Sequence, residues 1–358
     1  LMMASLIGSH LWRSRFWARL PLATGLALAI PHLAFAIGFG FLIMPSGLVA
    51  RLFVAGGVPP QWVTTQDPWG LSLVLVLIFK ETPFLLLMLW AVLSQGDFAR
   101  RIVLEAKAAA SLGHGTRSVW NRVVMPQVLR RLVWPLVIVW VYGVTVVDVA
   151  LVIGPTAPPP VAVTIFKDLN DAELATNARG AAGAVALVAG LALLALLAAL
   201  TMRIGAPWFR SLLTRGPMAS ARRAAVLAQL AGGGLAVAYG LVVLILLGLS
   251  LAPRWPYPFL LPETFSVDAW MQLQPGSILL SLGLAITTAV VAVMSILLWF
   301  EAQMRASDRL VLSLALAALA VPAITLASGQ YRLLLAIGMT GTGTGLFLVH
   351  LAPVLAYG

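Results

Sequence analysis

Three charged residues, Lys80, Glu81 and Asp148, sit inside long apolar runs of this 358-residue chain. A charge at membrane depth is costly unless paired or hydrated, and such groups mark either polar paths or internal pairs. All three are therefore candidates to line a path across the bilayer. Lys80 and Glu81 are sequence neighbours, so on a helix they point about 100° apart and cannot easily satisfy each other. A pair between Lys80 and Asp148 across two helices is the equal alternative.

Other reactive residue types are scarce or scattered. There is no cysteine, which removes disulfides, thiolate metal sites and thiol nucleophiles. His10, His32, His114 and His350 fall in separate segments without ligand spacing, so no metal site is expected. Gly341-Thr342-Gly343-Thr344-Gly345 invites a phosphate-loop reading, but no Lys-Ser/Thr follows and the run is apolar. A His-Glu-x-x-His pair, a Gly-x-Ser-x-Gly elbow and facing aspartates are also missing. The residues point away from an enzyme and call for no cofactor.

The elements that must position these residues are membrane helices. Hydrophobic residues make up 61% of the chain and charged ones 10%, with mean hydropathy +0.99. A soluble domain carries about 25% charged residues, so this chain requires lipid. Runs long enough to span lie at Leu20–Leu42, Trp69–Leu93, Trp134–Gly154, Ala182–Met202, Ala225–Leu251, Ser277–Phe300, Leu310–Ser328 and Leu333–Tyr357. The expected fold is an all-α polytopic membrane protein of about eight transmembrane helices.

With the N-terminal segment cytoplasmic, the inside loops hold the clusters Arg13, Arg15 and Arg19, then Arg100 to Arg131, then Arg203 to Arg223, then Arg305 and Arg309. Outside loops hold only Arg51, Lys167, Arg179, Arg254 and Arg332, with Asp67, Asp168, Asp171, Glu173, Glu263 and Asp268. This is the positive-inside pattern. It accounts for the net charge of +11 without a phosphate-tracking surface, which argues against nucleic acid as a partner.

A weak repeat relates Leu28-Ala29-Ile30-Pro31 to Leu319-Ala320-Val321-Pro322, and Phe79-Lys80-Glu81-Thr82-Pro83 to Val349-His350-Leu351-Ala352-Pro353. Transporters are often built from such repeats. Two tandem copies are expected at residues 1–215 and 216–358. Gly180, Gly183 and Gly190 are expected to permit close helix packing. Residues 154–180 begin Pro-rich and are expected to carry a short outer surface helix capped by Asn170.

The most informative segment is the basic stretch 98–132, too polar to span and too long for a simple turn. Lys107–Leu112 is Ala-rich and helix-forming, Gly113 ends that helix, and Thr116–Val124 forms a second helix closing near Pro126. The bland alternative is an interfacial helix that only anchors the chain.

Lys107, Ala108, Ala109, Gly113, Val123, Met125 and Pro126 resemble the EAA loop of permeases from binding-protein-dependent ABC importers. That family pattern is Glu-Ala-Ala, three residues, Gly, nine residues, an aliphatic residue, any residue, Leu, Pro. Here Met125 stands for the Leu and Lys107 for the Glu, while Glu105 lies two residues too early. Thr145-Val146-Val147-Asp148-Val149-Ala150 with Ile153-Gly154-Pro155-Thr156-Ala157-Pro158-Pro159 is similar to the fused two-repeat permeases of thiamine-like and ferric-iron-like uptake systems.

The resemblance implies a bacterial inner-membrane permease giving alternating access. It implies a cytoplasmic ATP-binding subunit docked on the loop and a periplasmic or extracellular solute-binding protein. The repeat in turn implies a second coupling loop: Gly113 follows Pro83 by 30 positions, and the same interval from Pro353 falls beyond Gly358. The second copy is therefore expected to be truncated before its loop and the first partial at its N-terminus, with an intact half-size permease as the alternative. The alternative function is an ion-coupled secondary transporter using Glu81 and Asp148 as ion sites.

Overall fold

The computed structural model describes residues 1–358 except 54–56, 214–221, 303–322 and 358. All regular structure among the described residues is helical. The chain divides into two compact units. One comprises Leu1–Trp140, Asp148–Pro160 and Leu193–Ser266; the other comprises Val141–Val147, Val161–Ala192 and Val267–Gly358.

Five helices among the described residues are long and apolar enough to cross a membrane: His32–Phe53, Leu71–Leu93, Leu174–Gly205, Arg223–Leu251 and Pro275–Trp299. A sixth arises if Thr116–Arg131 and Val133–Thr145, bent by 69°, act as one span. The chain is thus polytopic, with five or six candidate spans among the described residues, and three of the expected apolar runs are interrupted.

Run Leu20–Leu42 breaks at Pro31 into α2 (Leu20–Ala29) and α3 (His32–Ile43), and the latter continues toward α4 (Leu48–Phe53). Trp134–Gly154 divides into Val133–Thr145 and Asp148–Ile153. Leu333–Tyr357 is interrupted between the helices Ala323–Ala336 and Gly343–Tyr357, where Gly338 and Gly341 take positive φ. Proline at position 31 removes a helix donor and Gly338 and Gly341 permit left-handed backbone, so a hydropathy window sees one run where the backbone has two; the break at Val146-Val147 has neither residue. Expected span Leu310–Ser328, the second-copy motif at 319–322 and the boundary at 215/216 fall wholly or largely outside the described residues.

In the first unit, α5 (Leu71–Leu93) is the most enclosed span. α1 (Met2–Leu11) and α2 pack against it, while α3 packs against the helix Arg222–Leu251 and against Asp148–Ile153. Gly38 allows the close approach to Arg222–Leu251, since a Cβ there would lie 2.9 Å from Val242 Cγ1. The start of α5 is fixed by Asp67, whose carboxylate accepts from the Leu71 amide at 2.7 Å and the Ser72 amide at 2.9 Å. Free amides at a helix start are thereby satisfied.

In the second unit, Pro275–Glu301 packs on Gly343–Tyr357. The short outer helix is Val161–Leu169, and Asn170 lies at its C-terminal end with its side-chain amide donating to Phe166 O at 2.8 Å. Gly180 meets Leu169 and Asp168 so closely that a Cβ would lie 2.8 Å from the Leu169 nitrogen, and Gly183 faces Ile165. Gly190 has open space around it. Two of the three glycines therefore serve the outer helix. Arg179 clamps the same helix through two bonds to Asp168, at 2.8 and 2.9 Å. That hydrogen-bonded guanidinium holds the Asp168 carboxyl below its ordinary value.

Candidate functional site

The basic segment folds as two helical limbs around a turn. α6 (Gly96–Ser111) places Phe98, Ile102 and Ala106 on one buried face, with Arg100, Arg101 and Lys107 turned away. Spacing of four residues produces this amphipathic division. The helix extends well upstream of the expected start at Lys107.

Its end is a Schellman turn. Gly113 N donates to Ala110 O at 3.0 Å and His114 N to Ala109 O at 3.2 Å, closing the last carbonyls. Gly113 has φ +85° with open space where a Cβ would sit, so glycine is required here for conformation and not for room.

The second limb corrects the expectation of a helix closing near Pro126. It runs from Thr116 to Arg131, passing through a π-turn at Trp120–Val124. Met125 keeps helical angles before the proline, φ −60° and ψ −40°, and its amide bonds Trp120 O five residues back. The wide turn takes up the mismatch that a proline imposes on an α-helix. Helix resumes over Met125–Arg131.

These limbs form a built domain at the end of α5. Leu89, Val92 and Leu93 of α5 join Phe98, Ile102, Ala106, Val119, Trp120, Val124, Val128 and Leu132 in one buried cluster. Trp120 is 2% exposed. Its indole donates to Ser5 Oγ at 3.0 Å and its ring meets Trp12 at 5.8 Å. α1 is further tied by Arg117 donating to Ser9 Oγ at 3.2 Å. Arg131 lies 4.0 Å over the Phe98 ring and donates to Gln95 Oε1 at 2.7 Å.

What remains outward is the tip. Lys107, Ala108, Leu112 and Gly113 are exposed, Ala109, Val123, Met125 and Pro126 are partly buried, and Leu112 is 77% exposed. Glu105, partly exposed, accepts from Gln127 Nε2 at 2.6 Å, joining the two limbs, and lies 3.7 Å from Arg101 Nε.

The intramembrane charges are arranged differently from either expectation. Lys80 is fully buried and donates to Ile30 O at 2.6 Å and Ala27 O at 3.1 Å. Its ammonium also lies 5.8 Å from the Phe35 ring and 5.6 Å from Tyr239. Carbonyls and ring faces are the groups that make a buried ammonium tolerable. Glu81 Oε1 lies 3.2 Å from His32 Nε2. Asp148 is exposed, in the first turn of Asp148–Ile153, and is not the partner of Lys80.

A cavity of about 540 Å³ lies beside this cluster, walled by Ala27, Pro83 and Tyr239 and reaching His10, Arg19 and Gln229. Sequence reasoning also missed Arg51. It is buried, donates to Ser46, Trp255, Pro256 and Phe259 carbonyls, and lies over Phe41, Trp255 and Tyr257. The available signal was one arginine among outer aromatic residues.

No family model and no solved structure matches the chain. The chain is 29% identical, over 360 aligned positions and its whole length, to the inner membrane ABC transporter permease protein YnjC of Escherichia coli strain K12. It spans 63% of that relative's length. This is distant homology, and together with the spans it makes the chain a multi-pass protein of the inner membrane.

Proposed function

We propose that the chain is the membrane-spanning permease part of an ATP-driven importer. A separate cytoplasmic ATP-binding subunit docks on the turn formed by Lys107, Ala108, Ala109, Gly113, Val123, Met125 and Pro126. A solute-binding protein delivers cargo on the opposite face, and two tandem repeats give alternating access. The observation that carries the reading is the turn itself. Its backbone is closed by a Schellman motif, its base is continuous with the core of α5, and its tip is exposed. A force on the tip is therefore delivered to a transmembrane helix through close-packed side chains.

A photo-crosslinking residue at Leu112, with a control at Trp69 (85% exposed), tests the docking. Leu112 should capture a nucleotide-binding subunit in native membranes and Trp69 should not. Absence of any such adduct at Leu112 sinks the proposal.

Lys80, Glu81 and Asp148 were set out as path candidates. Lys80 and Glu81 already have protein partners, so the path reading rests on Asp148. A cysteine at position 148 in this cysteine-free chain should react with a membrane-impermeant maleimide. An inert thiol contradicts a watered path at that residue.

A further inference from the structure

We infer that Lys80 and Glu81 are positioning residues that lock the helix break at Ile30-Pro31-His32, holding α2 and α3 as two separately aimed rods. In an unbroken helix Ala27 O would accept from the amide of residue 31, but that residue is proline and has no N–H. Ile30 is extended, with φ −75° and ψ 120°, and Pro31 likewise, with φ −57° and ψ 146°. The last carbonyls of α2 are thereby orphaned within an apolar run.

Lys80 supplies the lost donor. Its ammonium bonds Ala27 O, the carbonyl that proline deprives, and Ile30 O, the last before the break. A cation at the negative end of α2 also suits the helix dipole. The adjacent residue, Glu81, reaches the other side of the break, to His32 at the first position of α3. An acid near the positive end of α3 is favourable for the same reason. The 100° offset between neighbours on α5, which prevents the two charges from satisfying each other, lets each take one helix end.

The two rods have different principal partners. α2 packs chiefly on α5, whereas α3 packs chiefly on Arg222–Leu251 and Asp148–Ile153 and to a lesser extent on α5. A dyad on α5 that grips both ends fixes the direction of one relative to the other.

Because the chain has no cysteine, spin labels at Leu22→Cys and Ile37→Cys, both exposed, can report the α2–α3 distance in the full chain in nanodiscs. The parent and Lys80→Arg should give one narrow distribution, and Lys80→Met a broad one. Pro31→Ala restores the amide at position 31. Then Ala27 O is satisfied within the helix, and the distance should move to that of a continuous helix, about 22 Å between Cα atoms. In that background Lys80→Met should leave the distribution narrow.

An unchanged distribution in Lys80→Met alone would overturn the inference. Failure of Pro31→Ala to rescue Lys80→Met, whether by a broad distribution or by failure to fold, would overturn it equally.

Discussion

At the scale of single residues, two buried charged groups hold helix ends. Lys80 does this at the end of α2 and Asp67 at the start of α5. Burial works to raise the Asp67 carboxyl, but hydrogen bonds from the Ser72 side chain and amide and from the Leu71 amide outweigh it, and its pKa is lowered. A depressed folded value means that the stabilisation is fully present above the unfolded value of about 3.9 and is lost as pH falls through the folded value. Asp67→Asn should therefore lower thermal stability by about 1 kcal/mol near neutral pH, in the range of other lost caps. The gap to the parent should close in strongly acidic buffer. A pH-independent gap in detergent-solubilised melting curves would mean that charge is not what Asp67 contributes. These roles were hidden in the sequence, where Lys80, Glu81 and Asp148 look alike as charges in apolar runs. Only the position of Pro31 relative to α5 separates Lys80 from Asp148, and that proximity is tertiary.

At the scale of elements, the helix–turn–helix segment shows where local signals suffice. The Ala-rich run, Gly113 and the polar stretch after it foretold two limbs and a turn, and the turn is there with positive φ at Gly113. The far limit was misplaced, because a π-turn at Trp120–Val124 carries the second limb through Pro126. No propensity rule marks such a turn; its position is set by Trp120 entering the cluster beneath. Trp120 is accordingly the residue on which the segment rests. Trp120→Ala should cost about 3–5 kcal/mol and render the 96–131 segment sensitive to protease while α5 stays in the membrane. Trp120→Phe should retain more of the packing and lose only the bond to Ser5. Equal protease resistance in the alanine variant and the parent would show that the cluster does not organise the segment.

At the scale of the molecule, hydropathy sufficed for a polytopic helical protein, and four spans lie where composition put them. It failed where proline or paired glycines divide a run, since a window average has no term for a missing amide or a left-handed residue. The same average is blind to lipid-facing against enclosed surface: α5 is 44% buried over its most apolar window, whereas Leu174–Gly205 and Pro275–Trp299 are 11% buried. Spans so open present apolar side chains that suit lipid or further helices. Enclosed α5 joins the Lys80–Glu81 break to the exposed turn, and that connection is the physical basis for reading the chain as a mechanical part driven from outside.

The most direct measurement is ATP hydrolysis by the complex purified from native membranes through the full chain, compared with Gly113→Val. Valine at φ +85° is strained by roughly 1–2 kcal/mol, which should deform the turn without unfolding the spans. Vanadate-sensitive hydrolysis should co-purify with the parent and fall at least about tenfold in Gly113→Val, a change that about 1.4 kcal/mol of lost docking would produce. Absence of co-purifying hydrolysis, or hydrolysis indifferent to Gly113→Val, would contradict docking of the ATP-binding subunit on the turn.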